Sequence, residues 1–205
     1  MSDTATDIIH VFEPGTGSAH QPLLLLHGTG GDERDLLPLG RLVAPGAALL
    51  SPRGTVLENG MPRFFRRHAE GVFDEDDLRR RTDDLAAFIR DAQARYRLAA
   101  PVALGFSNGA NIAASLLLRH PGLLRGAALL RAMVPYREPP VVGLGGTEVL
   151  LLSGVNDPIV PAANSARLAA ILREAGASVQ HQELPLGHGL SQMDVALTRD
   201  WVAKL

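Results

Sequence analysis

The sequence predicts a single α/β domain with a mainly parallel central sheet flanked by helices, and three observations support this. Short runs in which every residue is apolar recur along the chain, as strands buried on both faces of a parallel sheet require. Segments of helical period separate these runs, and alternating strands and helices build this class of domain. The 205 residues fit one domain, or two cramped ones, at roughly 100–200 residues each. No internal repeat, low-complexity tract or linker divides residues 1–205.

In chain order, Ile8 to Phe12 reads as an initial strand, followed by the four leucines Leu23 to Leu26 and then by Ala47 to Leu50. Residues 74–97 form the clearest helix, with Leu78, Leu85, Phe88, Ile89, Ala92 and Tyr96 at helical spacing. Asp74, Glu75, Asp76 and Asp77 crowd its first turn, where the helix dipole favours negative charge. Glu75–Arg79, Asp76–Arg80 and Asp77–Arg81 are i,i+4 pairs, each contributing about 0.2–0.5 kcal/mol. This charge run reads as a solvated helix face. The strand Pro101 to Leu104, the helix 108–119 and the strands Gly126 to Leu130 and Glu148 to Leu152 follow. The helix 161–175, the alternating strand Ser178 to Leu184, which suits a place nearer the sheet edge, and the helix 190–204 complete the set.

Composition excludes several classes of function. The chain has no cysteine, so disulfides, thiolate metal sites and a cysteine nucleophile are ruled out. A net charge of −2 is unlike the basic stripe of a dedicated nucleic-acid binder. Met1 to Asp7 lacks the basic start and apolar core of a signal peptide. No run of about 18 apolar residues exists, so no membrane span is expected and a soluble, cytoplasmic protein is. Lys204 is the one lysine among the 20 basic residues. That arginine skew reads either as anion clamps or as coding bias.

In open parallel sheets, sites form in the loops beyond the carboxyl ends of the strands. After Leu104 comes Gly105-Phe106-Ser107-Asn108-Gly109, a G-x-S-x-G pattern between a strand and a helix. A tight turn there exposes the serine hydroxyl over the sheet edge, and the Asn108 amide at the helix start can face an oxyanion. After Leu26 comes His27-Gly28-Thr29-Gly30-Gly31-Asp32, whose Thr29 amide is the candidate second oxyanion donor. Its glycine spacing matches neither a dinucleotide fingerprint nor a P-loop, and His27 reads as a residue holding that loop. Asp157, in Asn156-Asp157-Pro158, fits either an orienting carboxylate or an ordinary turn. His188, in Gly187-His188-Gly189, is the candidate general base. The order Ser107, Asp157, His188, each after a separate strand, is that of an α/β-hydrolase triad. His10, His20, His68, His120 and His181 have no comparable placement.

With these blocks, and with Ser51-Pro52-Arg53-Gly54, Asp157-Pro158-Ile159-Val160-Pro161 and Glu58 through Arg67, the chain resembles the phospholipase/carboxylesterase family of small α/β-hydrolases. The segments at 51–54 and 58–67 resemble a bacterial branch that includes hydrolases linked to hydroquinone and quinone stress. The resemblance spans about Ile8 to Trp201. It implies Ser107, Asp157 and His188 as catalytic triad, Thr29 and Asn108 as oxyanion donors, and neither metal nor organic cofactor. Thr29 departs from the apolar residue more usual in acyl-protein thioesterases, which weakens transfer of a thioesterase preference.

The expected activity is a serine carboxylesterase cleaving small or aryl esters through an acyl-serine. The alternatives are a lysophospholipase- or thioesterase-type hydrolase, or non-hydrolytic chemistry on the same fold. About 15 residues between Arg131 and Thr147 are too few for a cap domain, so an open site is expected. Phe64, Phe65 and Phe73 either wall an acyl or aryl pocket or pack helix 74–97 onto the sheet. Arg63, Arg66 and Arg67 either attract an anionic substrate or pair with Asp74 to Asp77. The expected partner is a small-molecule ester, with no nucleic acid and no membrane insertion, and a homodimer is plausible.

Overall fold

Four consecutive leucines show how the two cores are laid out. Side chains alternate across a strand, so Leu24 and Leu26 enter one apolar core and Leu23 and Leu25 the other, all four fully buried. The computed structural model describes residues 8–16 and 21–205; the signal-peptide reading of Met1 to Asp7 and the reading of His20 lie outside the described residues. In chain order the elements are β1 (His10–Glu13), β2 (Leu23–Leu26), α1 (Leu37–Val43), β3 (Leu49–Pro52), β4 (Val56–Glu58), β5 (Met61–Arg63), β6 (Arg67–Ala69) and β7 (Val72–Phe73). Then follow α2 (Glu75–Tyr96), β8 (Val102–Phe106), α3 (Asn108–Arg119), β9 (Gly126–Leu130), β10 (Glu148–Gly154), α4 (Ala162–Glu174), β11 (Ser178–Leu184) and α5 (Gln192–Val202).

Seven strands form the main sheet in the order β1-β3-β2-β8-β9-β10-β11. β1 runs antiparallel to β3, and every other pairing is parallel. One face packs against α2, α3 and α4 through Leu78, Ile89, Ile112, Leu116 and Leu168. The other packs against α1 and α5 through Leu37, Val43 and Trp201. This is the α/β-hydrolase fold. β11 lies at the sheet edge and only Leu184 on it is fully buried, which accounts for its alternating pattern.

Three features differ from the sequence expectation. Helix α1 is seven residues long, too short for its periodicity to stand out. Residues 53–74, between β3 and α2, form two hairpins, β4–β5 and β6–β7, that pair outside the main sheet. The first turns at Asn59-Gly60, with φ of 51° and 81°, the positive values a two-residue hairpin of this twist needs. At the start of α2, Asp76 pairs with Arg79 and not with Arg80, and Asp77 is not solvated at all. Asp77 is buried, ion-paired with Arg80, and accepts a hydrogen bond from the Arg66 amide at 2.8 Å. It anchors the 53–74 excursion to the helix.

Candidate active site

β8 is the central strand of the seven, and Ser107 stands at its carboxyl end with φ 51° and ψ −113°, backbone that non-glycine residues rarely adopt. The glycines on either side make that turn possible by close approach. A Cβ on Gly105 would lie 2.6 Å from the Gly109 carbonyl oxygen, and one on Gly109 would lie 2.0 Å from that of Leu26. The Ser107 amide donates to the Leu130 carbonyl at 2.9 Å, tying the turn to β9.

Two further loops meet Ser107. His188 follows β11, and its Nε2 lies 2.9 Å from Ser107 Oγ. Its Nδ1 lies 2.8 Å from Asp157 Oδ2. A carboxylate only accepts, so Nδ1–H donates to Asp157 and Nε2 is left to accept from the serine hydroxyl. Asp157 follows β10, and its side chain is sealed from solvent. Its Oδ1 accepts from the Ile159 and Val160 amides at 2.8 and 3.0 Å. One oxygen of Asp157 thus serves the turn, and the other faces His188 Nδ1.

Thr29 follows β2 and lines the same cavity as Ser107 and Asn108. Among the described residues no hydrogen bond engages the amide of Thr29 or of Asn108. The Asn108 side chain does other work: its Oδ1 accepts from the Phe64 amide at 2.8 Å and draws the 53–74 excursion against the Ser107 turn. His27 is buried and holds the loop from within. Its Nδ1 donates to the Gly28 carbonyl at 2.7 Å and its Nε2 accepts from the Gly54 amide at 2.9 Å. Burial pulls its pKa below the ordinary histidine value, which keeps Nε2 free to accept. Of the other described histidines, His10 lies 2.9 Å from Tyr96 Oη, His120 2.8 Å from Asp83 and His181 2.9 Å from Ser153 Oγ.

Sequence reasoning missed Arg131. It directly follows β9, with φ 58°, and is fully buried. Its guanidinium pairs with buried Asp194 through bonds of 2.8 and 3.1 Å. Nε donates to the Gly187 carbonyl at 3.0 Å and Nη2 to that of Gly189 at 3.3 Å. Arg131 thus grips the chain on both sides of His188. Asp194 also accepts from the Ser191 amide and hydroxyl, closing the capping box of α5. The only signal was a charged residue directly after the apolar run Gly126 to Leu130.

The cavity over Ser107 has a volume of about 280 Å³. Arg63 and Phe73 line it, but Phe64 and Phe65 do not. This corrects the expectation that those two wall the substrate pocket. Phe64 lies near His27, its ring tilted by 37° at 4.7 Å between centroids, and Phe65 is wholly inside the core against Phe73. The hydrogen bond that the Phe64 amide donates to Asn108 Oδ1 holds this segment inward. Among the three nearby arginines only Arg66 pairs with Asp74; Arg67 pairs with Glu58 at 2.9 Å and Arg63 is buried. Residues 131–147 contain no helix or strand and supply Arg131 and Met133 to the cavity lining, whereas 53–74 supplies Arg63, Arg67, Glu70, Gly71 and Phe73.

The phospholipase/carboxylesterase family profile matches residues 8–205. MhqD of Bacillus subtilis (strain 168), a hydrolase by name, is 46% identical over 194 residues, covering 94% of this chain and 96% of MhqD. The Bacillus cereus carboxylesterase structure superposes with a TM-score of 0.95 at 46% identity, covering 98% of this chain and 95% of that one. YahD, solved with malic acid, gives a TM-score of 0.90 at 32% identity, with 96% and 98% covered.

Proposed function

Because this chain belongs to the phospholipase/carboxylesterase family of hydrolases, we propose that it hydrolyses small or aryl carboxylic esters with Ser107, His188 and Asp157 as catalytic triad. The observation that supports this most is the continuous chain of hydrogen bonds from Ser107 Oγ through His188 to Asp157, at 2.9 and 2.8 Å. His188 Nε2 takes the hydroxyl proton as Ser107 Oγ attacks the ester carbonyl. Asp157 stabilises the imidazolium and holds the ring in the tautomer that leaves Nε2 free. The amides of Thr29 and Asn108 receive the oxyanion, and one such donor is typically worth about 10²–10³ in rate. The alcohol leaves with the proton from His188. Water, deprotonated in turn by His188, then cleaves the acyl-serine and releases the acid. The protein acts in the cytoplasm on a small-molecule substrate.

A cavity of about 280 Å³, just under the usual range for small-molecule sites, favours short acyl groups over the long chains of lysophospholipids or lipidated proteins. YahD's malic acid, a small hydroxy-dicarboxylate, supports a small polar ligand here too. Two measurements test the reading. A fluorophosphonate probe labels the wild type and fails to label Ser107→Ala. An ester panel graded by acyl length and leaving group gives its highest kcat/KM for short esters. A folded wild type that neither labels nor turns over any ester overturns the assignment.

A further inference from the structure

Arg63 stands out among the cavity residues. It is 2% exposed, and its side chain lines the cavity over Ser107. Gly54 makes the placement possible, since a Cβ there would lie 2.3 Å from the Arg63 carbonyl carbon. The guanidinium's Nε donates to the Phe65 carbonyl at 3.2 Å, and Nη1 donates to Thr29 Oγ1 at 2.7 Å. Its nearest carboxylate oxygen is Glu58 Oε2, 3.5 Å from Nη1, and Glu58 is already held by Arg67 Nε and Nη2 at 3.0 and 2.9 Å. Two guanidiniums therefore share one carboxylate. Arg63 Nη2 and Arg67 Nη1 make no hydrogen bond among the described residues, and neither atom is sealed from solvent.

Burying a cation without a full partner is unfavourable, and here the incompletely paired one faces a cavity that contains the nucleophile. A free guanidinium edge in such a place matches a carboxylate in shape and charge. The other charged groups at the cavity are Glu70, which is exposed and pairs with nothing among the described residues, and Arg131, which Asp194 neutralises. We propose that Arg63, with Arg67 beside it, is a carboxylate-binding subsite, and that the substrate is a short ester carrying a second, free carboxylate. This rests on the esterase reading above and names the substrate class of that site. The free carboxylate sits either on the acyl side, as in a half-ester of a dicarboxylic acid, or on the alcohol side, as in an acylated hydroxy acid.

Matched pairs separate these sources. One arm compares para-nitrophenyl hemisuccinate with para-nitrophenyl valerate; the other compares the acetate of para-hydroxybenzoate with phenyl acetate. The charged member of at least one pair has the higher kcat/KM. That preference falls roughly 10- to 100-fold in Arg63→Gln, the scale of one charge-assisted hydrogen bond, while the neutral esters change less. The half-exposed Arg67→Gln reduces the same ratio and covers the case in which Arg63→Gln does not fold. Added salt lowers the preference as well. Absence of a wild-type preference in both arms overturns the proposal, and so does a preference that survives both substitutions. If neither ester of either pair is hydrolysed, the esterase reading fails, and calorimetric binding of succinate to Ser107→Ala still decides the subsite. Binding lost on adding Arg63→Gln keeps the subsite, and no binding removes it.

Discussion

Replacing Arg131 by methionine tests whether the grip on the histidine loop holds the site and the fold together. Arg131 and Asp194 are both buried and bonded to each other twice. Removing one partner of such a pair typically costs about 3–5 kcal/mol, because the other charge stays buried. For Arg131→Met the stranded group is Asp194, which keeps the Ser191 amide and hydroxyl at 2.8 and 2.9 Å, so the lower end of that range applies. The carbonyls of Gly187 and Gly189 lose their donors in the same step. Domains have about 5–15 kcal/mol in all, and at about 2–4 °C per kcal/mol for this chain length the melting midpoint falls by roughly 6–12 °C. Trp201, the single tryptophan, is buried on α5, the helix that carries Asp194, and reports unfolding by fluorescence in urea. The double variant Arg131→Met/Asp194→Leu strands no charge and is more stable than the sum of the single losses predicts. In the folded fraction of Arg131→Met, kcat falls because His188 is no longer held on both sides. Single losses below about 1 kcal/mol, or a double loss equal to their sum, refute the coupling.

Other outcomes follow from the same geometry. Asp157→Asn lowers kcat by about 10⁴-fold, since an amide no longer selects the tautomer with Nε2 free; stopped assays on the purified variant read this directly. Gly109→Ala gives little soluble protein, because its Cβ would lie 2.0 Å from the Leu26 carbonyl oxygen, a clash between two backbones that no rotamer relieves; soluble yield and circular dichroism measure it. The His27 pKa is lowered, chiefly by burial, so the stability from neutral His27 is full above about pH 6.5 and is lost as pH falls below it. The urea midpoint of His27→Gln therefore changes less than that of the wild type between about pH 7 and about pH 5; His181, lowered by burial too, keeps its own share of the slope in both proteins.

The sheet and the reactive loops were legible because each rests on local sequence. Runs such as Leu23 to Leu26 have no polar residue to expose, so they must be central, and the Gly105 and Gly109 pair marks a turn that tolerates no side chain. What escaped was contact between distant segments. Asp77 looks solvated in a helix-start charge run, yet it is buried under the Arg66 amide 11 residues upstream. Phe64 and Phe65 suited either pocket walls or core packing, and the contact that decides it, from the Phe64 amide to Asn108 Oδ1, spans 44 residues. The hairpin at Asn59-Gly60 is the exception. Its two positive φ values are a local requirement, and the dipeptide was there to be read.

The abundance of arginine has two different meanings in this molecule, and burial separates them. Arg41 and Arg79 are well exposed, Arg41 in a two-bond fork with Glu13 and Arg79 bridging Glu75 and Asp76; exposed pairs of this kind contribute about 0–1 kcal/mol, so little stability rests on them. Arg131 does not fit that account. Its donors are divided among the carbonyls of Leu152, Gly187 and Gly189 and both oxygens of Asp194, a set that lysine, with three donors on one nitrogen, cannot reach. Arg63 differs again, because its Nε and Nη1 are used by the protein while Nη2 makes no hydrogen bond among the described residues and the residue lines the cavity over Ser107. Surface arginines thus hold exposed ion pairs of small energy, whereas these two buried ones hold what they touch: His188's loop in one case and Thr29 at the cavity in the other.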